Sequence, residues 1–361
     1  MDSVNLGGTG LRVSRLCLGT MMFGAWGNPD HDACTRMVRT ALDAGIGFID
    51  TADVYAFGES EEIVGRALKG RRDEVVLATK FGERTDPDDP RTGGASRRWI
   101  ARAVEDSLRR LGTDRIDLYQ LHRPDFGTAL DETLGALGDL VRQGKILAIG
   151  ASATPADRIV EARWTAERHG LEPFGTEQLG YSVLARHAEA AALPACGRHG
   201  MGVLVYSPLN GGWLTGKYRA GVPAPADSRA VRNAGHFDHG QRGVRARKLA
   251  VVEEIARLAE ESGHTMIELA LGFVLAHPAV GSAIVGPRTE EQLAAQLSAA
   301  SVRLAPDVMD RLDQLVAPGT DLNPGDADQT SPALTDAALR RRAHALPEGA
   351  LPEGALPGGG A

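Results

Sequence analysis

Val75-Val76-Leu77-Ala78-Thr79-Lys80 is followed, after a charged and glycine-containing link, by residues 97–111, and these by Ile116-Asp117-Leu118-Tyr119-Gln120-Leu121-His122. The two flanking runs are short, apolar and end in polar side chains, the pattern of strands buried in a parallel sheet. Between them, Ile100, Val104, Leu108 and Leu111 recur three or four residues apart and mark one face of an amphipathic helix. The same unit repeats in both directions. Further strands are expected at residues 15–20, 47–50, 146–150, 174–178, 203–206 and 282–286, and helices at 32–44, 59–68, 130–142, 155–169, 188–199, 247–261, 265–275 and 289–299. Eight strands alternating with helices make an α/β chain of the (β/α)8 TIM-barrel class. An open doubly wound sheet alternates in the same way, but usually carries Gly-x-Gly-x-x-Gly after its first strand. No such string occurs here.

Ahead of the first strand, Val4-Asn5-Leu6 and Leu11-Arg12-Val13 flank Gly7-Gly8-Thr9-Gly10. That arrangement predicts a β-hairpin, placed as a plug on the barrel floor. After Val316-Ala317-Pro318-Gly319 the composition changes. Ala-Leu-Pro-Glu-Gly stands at 345–349 and again at 350–354, and proline every five residues forbids a helix. The expected organisation is a barrel over 1–318 and a low-complexity, mostly disordered tail over 319–361, with a transient helix at 333–342.

The 361 residues include 40 Lys+Arg and 47 Asp+Glu, a net charge of -7. That balance argues against a nucleic-acid partner or an anionic membrane surface, both of which need a positive field. Cys17, Cys34 and Cys196 are far apart and odd in number, which argues against a disulfide framework or a cysteine zinc site. Residues 269–287 carry no charge and approach the length of a membrane span, but His277-Pro278 and several glycines interrupt them. A helix followed by a buried strand fits better. With no signal-like N-terminus, a cytoplasmic location and no membrane partner are expected.

In a barrel of this class the reacting groups sit at the C-terminal ends of the strands. Here these ends supply Asp50 and, five residues on, Tyr55; then Lys80; then His122. A tyrosine ordinarily has a pKa of about 10 and is a poor acid or base at neutral pH. A nearby ammonium favours the phenolate and is expected to lower that value. A carboxylate beside the lysine keeps it charged and aimed, and the histidine orients a carbonyl or relays a proton. The set suits proton donation to a carbonyl oxygen during hydride transfer. None of the four can supply a hydride, so a nicotinamide cofactor is implied.

Gly-Phe-Ile-Asp-Thr-Ala-Asp-Val-Tyr at 47–55, Ala-Thr-Lys at 78–80, Asp-Leu-Tyr-Gln-Leu-His at 117–122 and Tyr-Ser-Pro-Leu at 206–209 resemble, in this order, the aldo/keto reductase superfamily. The resemblance runs from about residue 4 to residue 316. It implies a (β/α)8 barrel that binds NADP(H) in an extended pose, with Asp50, Tyr55, Lys80 and His122 as the catalytic tetrad and Tyr55 as acid/base. It further implies Thr20, Met21 and Asp50 at the nicotinamide ribose, Ser152 and Gln178 at the carboxamide, and Tyr206 stacked on the ring. Ser207, Pro208, Leu209, Gly211 and Lys217 would hold the diphosphate. Gly286 and Arg288 would meet the 2′-phosphate, with Gln292 and Gln296 at the adenine. Arg229 matches an arginine of the branch related to potassium-channel β subunits. Two departures stand out: Ala153 replaces a polar residue after Ser152, and Ala295-Gln296 replace Glu-Asn.

Gly211-x4-Gly216-Lys217 also approximates a P-loop, but Tyr218 stands where a magnesium-binding Ser or Thr is needed, against nucleoside-triphosphate hydrolysis. His236 and His239 form a loop pair that no carboxylate or cysteine completes, so no metal is expected. Trp26, Phe57, Phe81, Arg123 and Trp213 lie just beyond strand ends and either wall the substrate pocket or pack the loops. The resemblance implies NADPH-dependent reduction of an aldehyde or ketone to an alcohol, with a small-molecule carbonyl substrate. An NADP(H)-binding redox-sensing regulatory subunit with slow turnover is the alternative. The identity of the substrate and a homo-oligomeric state are left open.

Overall fold

The computed structural model describes residues 1–233, 238–327, 334 and 336–339. The chain forms two compact units, Met1–Gln329 and Thr330–Ala361. The described residues of the second include a 3-10 turn, Ala337–Leu339.

Two short strands, β1 (Ser3–Asn5) and β2 (Arg12–Ser14), pair antiparallel as the expected hairpin. Eight strands follow: β3 (Leu16–Gly19), β4 (Phe48–Asp50), β5 (Val76–Phe81), β6 (Ile116–Leu121), β7 (Ile146–Ser152), β8 (Thr176–Gly180), β9 (Gly202–Tyr206) and β10 (Val280–Val285). They form a closed barrel in which β10 returns to pair with β3, and neighbouring strands are parallel. The helices between and after them are α1 (His31–Asp43), α2 (Glu59–Ala67), α3 (Arg97–Leu111), α4 (Leu130–Arg142), α5 (Ala156–His169), α6 (Ala192–Arg198), α7 (Arg229–Arg232), α8 (Arg242–Glu261), α9 (Met266–Ala276), α10 (Glu290–Leu297) and α11 (Pro306–Leu315). The (β/α)8 class read from the sequence is therefore the fold.

Alternation along the strands separates two cores. One face of each strand packs against the helices, where Leu77, Tyr119 and Ile149 belong to the large outer cluster. The other face points inward, where Cys17, Phe48, Ala78, Leu118, Ala148, Leu204 and Ile284 share a small cluster with Leu6 and Val13 of the hairpin. The hairpin is the floor: Leu6 is buried, and a Cβ on Gly202 would lie 2.7 Å from it. Glycine is required at 202 because nothing larger admits the plug. Two residues beyond the interior layer stand Asp50, Lys80, Gln120 and Tyr206. The two-residue period thus delivers them to the barrel mouth.

Several boundaries differ from expectation. The helix expected at 188–199 is broken into a 3-10 turn, His187–Ala190, and α6. Pro194 is the cause: it has no N–H to offer the Ala190 carbonyl and its ring would clash there, so the helix restarts at Ala192 with proline in the first turn. The helix α11 was not expected at all. Residues 319–327, expected in the tail, are folded against the barrel: Arg186 N donates to Thr320 O at 2.9 Å and Leu322 N to Leu184 O at 3.1 Å. The rest of the tail, including most of 333–342, lies outside the described residues, as does His236. The uncharged stretch 269–287 divides into α9 and β10 as expected. Among the described residues no helix is long and apolar enough to cross a membrane.

Leu6→Ala should lower stability by about 2–5 kcal/mol, the cost of a cavity at a site that cannot collapse. Urea unfolding should show a lower midpoint at unchanged slope.

Candidate active site

The mouth is organised around the Lys80 side chain, which has no exposure to solvent. Its ammonium donates to Asp50 Oδ1 at 2.5 Å, to Thr51 O at 2.9 Å and to Tyr55 Oη at 3.2 Å. Three donors thus meet three acceptors. Register brings them together: Asp50 on β4 pairs with Ala78 on β5, two residues before Lys80. Asp53 N donates to Lys80 O at 3.1 Å and ties the loop after β4 to β5. Tyr55 then opens a 3-10 turn whose next residues, Ala56 and Phe57, are left-handed (φ 47° and 56°). Such backbone costs free energy in non-glycine residues and is tolerated where the surroundings fix it.

The other oxygen of Asp50 accepts from Gln120 Nε2 at 3.2 Å and Gln178 Nε2 at 2.9 Å. Sequence reasoning missed Gln120, although its place two residues after inward-facing Leu118 was a usable signal. Gln178, expected at a carboxamide, is seen here donating to Asp50. His122 follows β6, with its ring edge-on to Tyr55 at 5.7 Å between centroids. Its Nδ1 is buried without a hydrogen-bond partner.

Burial pulls the Lys80 ammonium toward deprotonation, but Asp50, with a contribution from Tyr55, outweighs it and holds the pKa above the ordinary lysine value. Burial pushes the Tyr55 phenol up. Lys80 pulls it down and Asp50 pushes it up again, so the net direction is upward. The expected lowering by Lys80 is therefore present but overruled. Burial, followed by the charges of Lys80 and Arg123, drives His122 well below the ordinary histidine value, so the imidazole is neutral near pH 7.

The remaining expected residues fall in two groups around this centre. Thr20 is buried; its hydroxyl donates to Asp50 O at 3.1 Å and accepts from Ser60 Oγ at 2.9 Å. Met21, after it, is partly exposed. Ser152 ends β7 in a buried position, and Ala153 after it is left-handed. Tyr206 ends β9 half-buried, its ring lying against Gly180, where a Cβ would come within 3.2 Å. Glycine at 180 admits the flat ring.

The second group follows β9 and β10. Ser207 is exposed and left-handed, Pro208 is buried, and Leu209 packs on the outer core. Residues Asn210–Thr215 form a 3-10 turn with left-handed kinks rather than the helix a P-loop requires. Lys217 is lowered by burial and then by Arg229 and Arg288, with Asp227 opposing. Arg229 is lowered by burial and by Arg232 and Arg288, with Tyr218 opposing. Three cations are therefore close enough to disfavour one another, and Arg288 Nη2 donates to Asp227 Oδ2 at 2.6 Å. Gly286 is exposed just ahead of Arg288, whose backbone N donates to Gln292 Oε1 at 2.8 Å. The buried Ser228 Oγ and Gln296 Oε1 lack hydrogen-bond partners in this region. The donor set fits a phosphate-bearing group.

Of the expected pocket walls, Trp26 (41% exposed) and Phe57 (63%) stand at the mouth, with Trp26 6.2 Å from the Tyr55 ring. Arg123 lies there too, its Nη1 donating to Tyr206 Oη at 3.5 Å and its Nε 3.6 Å from Glu83. Phe81 and Trp213 do not. Phe81 follows inward-facing Lys80, so it points outward and stacks on Tyr119 at 4.7 Å. Trp213 is 1% exposed, stacks on His239 at 4.4 Å and donates to Asp238 Oδ1 at 2.9 Å. Burial, helped by the charges of Lys248 and Lys217, pushes His239 down to about 4. Among the described residues no group of three His, Cys, Asp or Glu is placed to hold a metal.

Residues 15–317 match the Aldo/keto reductase family. The chain is 38% identical over 343 residues to "Uncharacterized oxidoreductase YrpG" of Bacillus subtilis, covering 92% of this chain and 99% of that protein. It is 36% identical over 300 residues to "Aldo-keto reductase YhdN" of the same organism, covering 82% and 87%. It is also 36% identical over 328 residues to a "Probable voltage-gated potassium channel subunit beta" of Arabidopsis thaliana, covering 88% and 97%. The chain belongs to the aldo/keto reductase family and is an oxidoreductase by that membership.

His122 should stay neutral in the folded protein at pH 6, read from its imidazole nitrogen chemical shifts. Its folded pKa is depressed, so the unfolded chain binds the proton more readily. This group's contribution to stability is therefore full above the unfolded pKa of about 6.5 and declines as pH falls below it.

Proposed function

We propose that the protein is an NADP(H)-dependent reductase of aldehydes or ketones, with Tyr55 as the general acid. The observation that carries this reading is the buried Lys80 ammonium, which donates at once to Asp50 and to the Tyr55 oxygen. Because that oxygen accepts from Lys80, the phenol's own proton is left for a further acceptor at the mouth. A carbonyl oxygen is such an acceptor. The raised phenol pKa keeps the proton on Tyr55 at neutral pH, which suits donation and so the reductive direction. Neutral His122, edge-on to Tyr55, can hold the same carbonyl oxygen by a hydrogen bond and fix its approach.

The cofactor, when bound, supplies the hydride. Lys217, Arg229 and Arg288 would receive its phosphates, their mutual repulsion relieved by the anion. Ser228 Oγ and Gln296 Oε1 would gain partners there. Tyr206, held against Gly180, would offer its ring to the nicotinamide, and Ser152 and Gln178 would meet the carboxamide. Trp26 and Phe57 would flank the substrate and limit water.

A second reading has one observation in its favour, the similarity to the Arabidopsis channel subunit. It is an NADP(H)-binding regulatory subunit with slow turnover. Turnover of simple aldehydes and ketones separates the two.

Three measurements test the proposal. Fluorescence titration should show binding of NADPH in preference to NADH. Tyr55→Phe should lower carbonyl reduction by about 10²–10⁴-fold and leave NADPH affinity unchanged; full turnover by this variant would remove Tyr55 from the reaction. Arg288→Ala should weaken NADPH by about tenfold or more, the value of a hydrogen bond between charged groups, and NADH far less. Equal losses would contradict a 2′-phosphate contact.

A further inference from the structure

A second buried lysine lies outside the centre just described. Lys248, on α8, is 1% exposed, and its ammonium donates to Asn210 Oδ1 at 2.7 Å, Asp238 Oδ2 at 2.5 Å and Asp326 Oδ2 at 2.8 Å. Its three protons are fully used, and the acceptors come from three separate stretches of chain. Asn210 belongs to the loop after β9. Asp238 precedes α8. Asp326 belongs to the C-terminal segment that packs back on the barrel.

The network is closed by further bonds. Asn323 Nδ2 donates to Asp238 Oδ2 at 3.0 Å and to Asp326 Oδ1 at 3.2 Å. Asn210 Nδ2 donates to Asp326 Oδ2 at 3.1 Å, and Trp213 Nε1 to the other oxygen of Asp238. A polar cleft of about 190 Å³ opens beside it, where Tyr206, Ser207 and Gly211 face Lys248, Asp238 and Asp326. The network is thus the rear support of the loop that carries Ser207–Gly211.

That loop needs support. Asn210, Gly211 and Gly212 are left-handed in succession, with φ of 45°, 64° and 98°. Asparagine tolerates this region better than most residues, but at a cost that its surroundings must offset. Here the side chain of Asn210 is held by Lys248 on one side and Asp326 on the other. If the ammonium is removed, two carboxylates share a buried site without a counter-charge, and their separation would release the loop.

We propose that Lys248 is a positioning residue for the cofactor loop. It couples residues 323–326 to the conformation of residues 207–212, and so to the grip on the cofactor's diphosphate. The inference rests on the proposed role of that loop in diphosphate binding. Lys248 itself stands behind the loop and acts through Asn210.

The test uses Lys248→Met and Asp326→Ala in the full chain. Asp326 lies nearer the surface, so its variant carries the test if Lys248→Met fails to fold. In each folded variant NADPH should dissociate about tenfold faster, while single-turnover reduction at saturating NADPH stays within about twofold. In cofactor-free protein, amide hydrogen exchange should rise at residues 209–214 and not across the barrel strands. A folded Asp326→Ala variant with wild-type NADPH release and wild-type exchange at 209–214 would overturn the proposal. So would a general loss of thermal stability with unaltered NADPH affinity, which is what a merely structural salt bridge predicts. Failure of the wild-type protein to bind NADPH would instead overturn the cofactor reading, and exchange in the cofactor-free protein would still decide the positioning of the loop.

Discussion

An ammonium without access to water is the constraint on which the site depends. Taking a lysine and an aspartate out of solvent costs several kcal/mol per ion, and their attraction offsets this only when every remaining donor and acceptor is matched. In this barrel the matching is supplied by four different strands. Asp50 ends β4 and Lys80 lies near the end of β5, while Gln120 on β6 and Gln178 on β8 donate to the second Asp50 oxygen. The register that pairs Lys80 with Gln120 also places their side chains on the interior face. A one-residue slip would turn Lys80 into the outer core and Phe81 into the mouth. Fold and chemistry are therefore not separable here: the barrel closure that buries the apolar layer also satisfies the ion pair.

The opposite ends of the strands tell a complementary story. The floor is filled by apolar side chains from β1, β2 and the strands, with Leu6 at its centre. At the mouth, by contrast, the backbone leaves its favoured regions. Ala56, Phe57, Ala153, Ser207 and Asn210 are left-handed, and all follow the C-terminal ends of β4, β7 and β9. Non-glycine residues in that region carry strain that the surrounding structure must override. A stable base and a strained rim are what allow loops to be aimed without loosening the barrel.

Much of this was legible in the sequence because it depends on local periodicity. Apolar runs of four to seven residues with polar ends gave the strands, and three-four spacing gave the helices. The meeting of Asp50, Tyr55, Lys80 and His122 at the mouth followed from strand ends. What was not legible depends on parity or on distant partners. Phe81 is adjacent to Lys80 and for that reason points the other way, so proximity in sequence was a misleading guide to the pocket wall. Trp213 is buried by a hydrogen bond to Asp238 and by stacking on His239, neither visible in its own neighbourhood. Residues 319–327 have an unremarkable loop composition, yet Asp321 accepts from the backbone N of Arg186 and His187. No local signal announces contacts made across so much intervening chain.

The electrostatics of Tyr55 carry a final point about how lysine acts. Lys80 alone would stabilise phenolate, and the sequence suggests that outcome. Its counter-ion, however, is Asp50, which shares the same ammonium with the phenol and favours the protonated form. The two influences oppose each other, and burial, the largest, sets the net direction. The lysine then serves less as a charge that ionises the phenol than as a donor that fixes its oxygen in place. Under the proposed role this is favourable, because a general acid must hold its proton until an acceptor arrives. It also ties the function of Asp50 to that of Lys80: without the carboxylate, the phenol would feel an uncompensated ammonium and would lose its proton more readily.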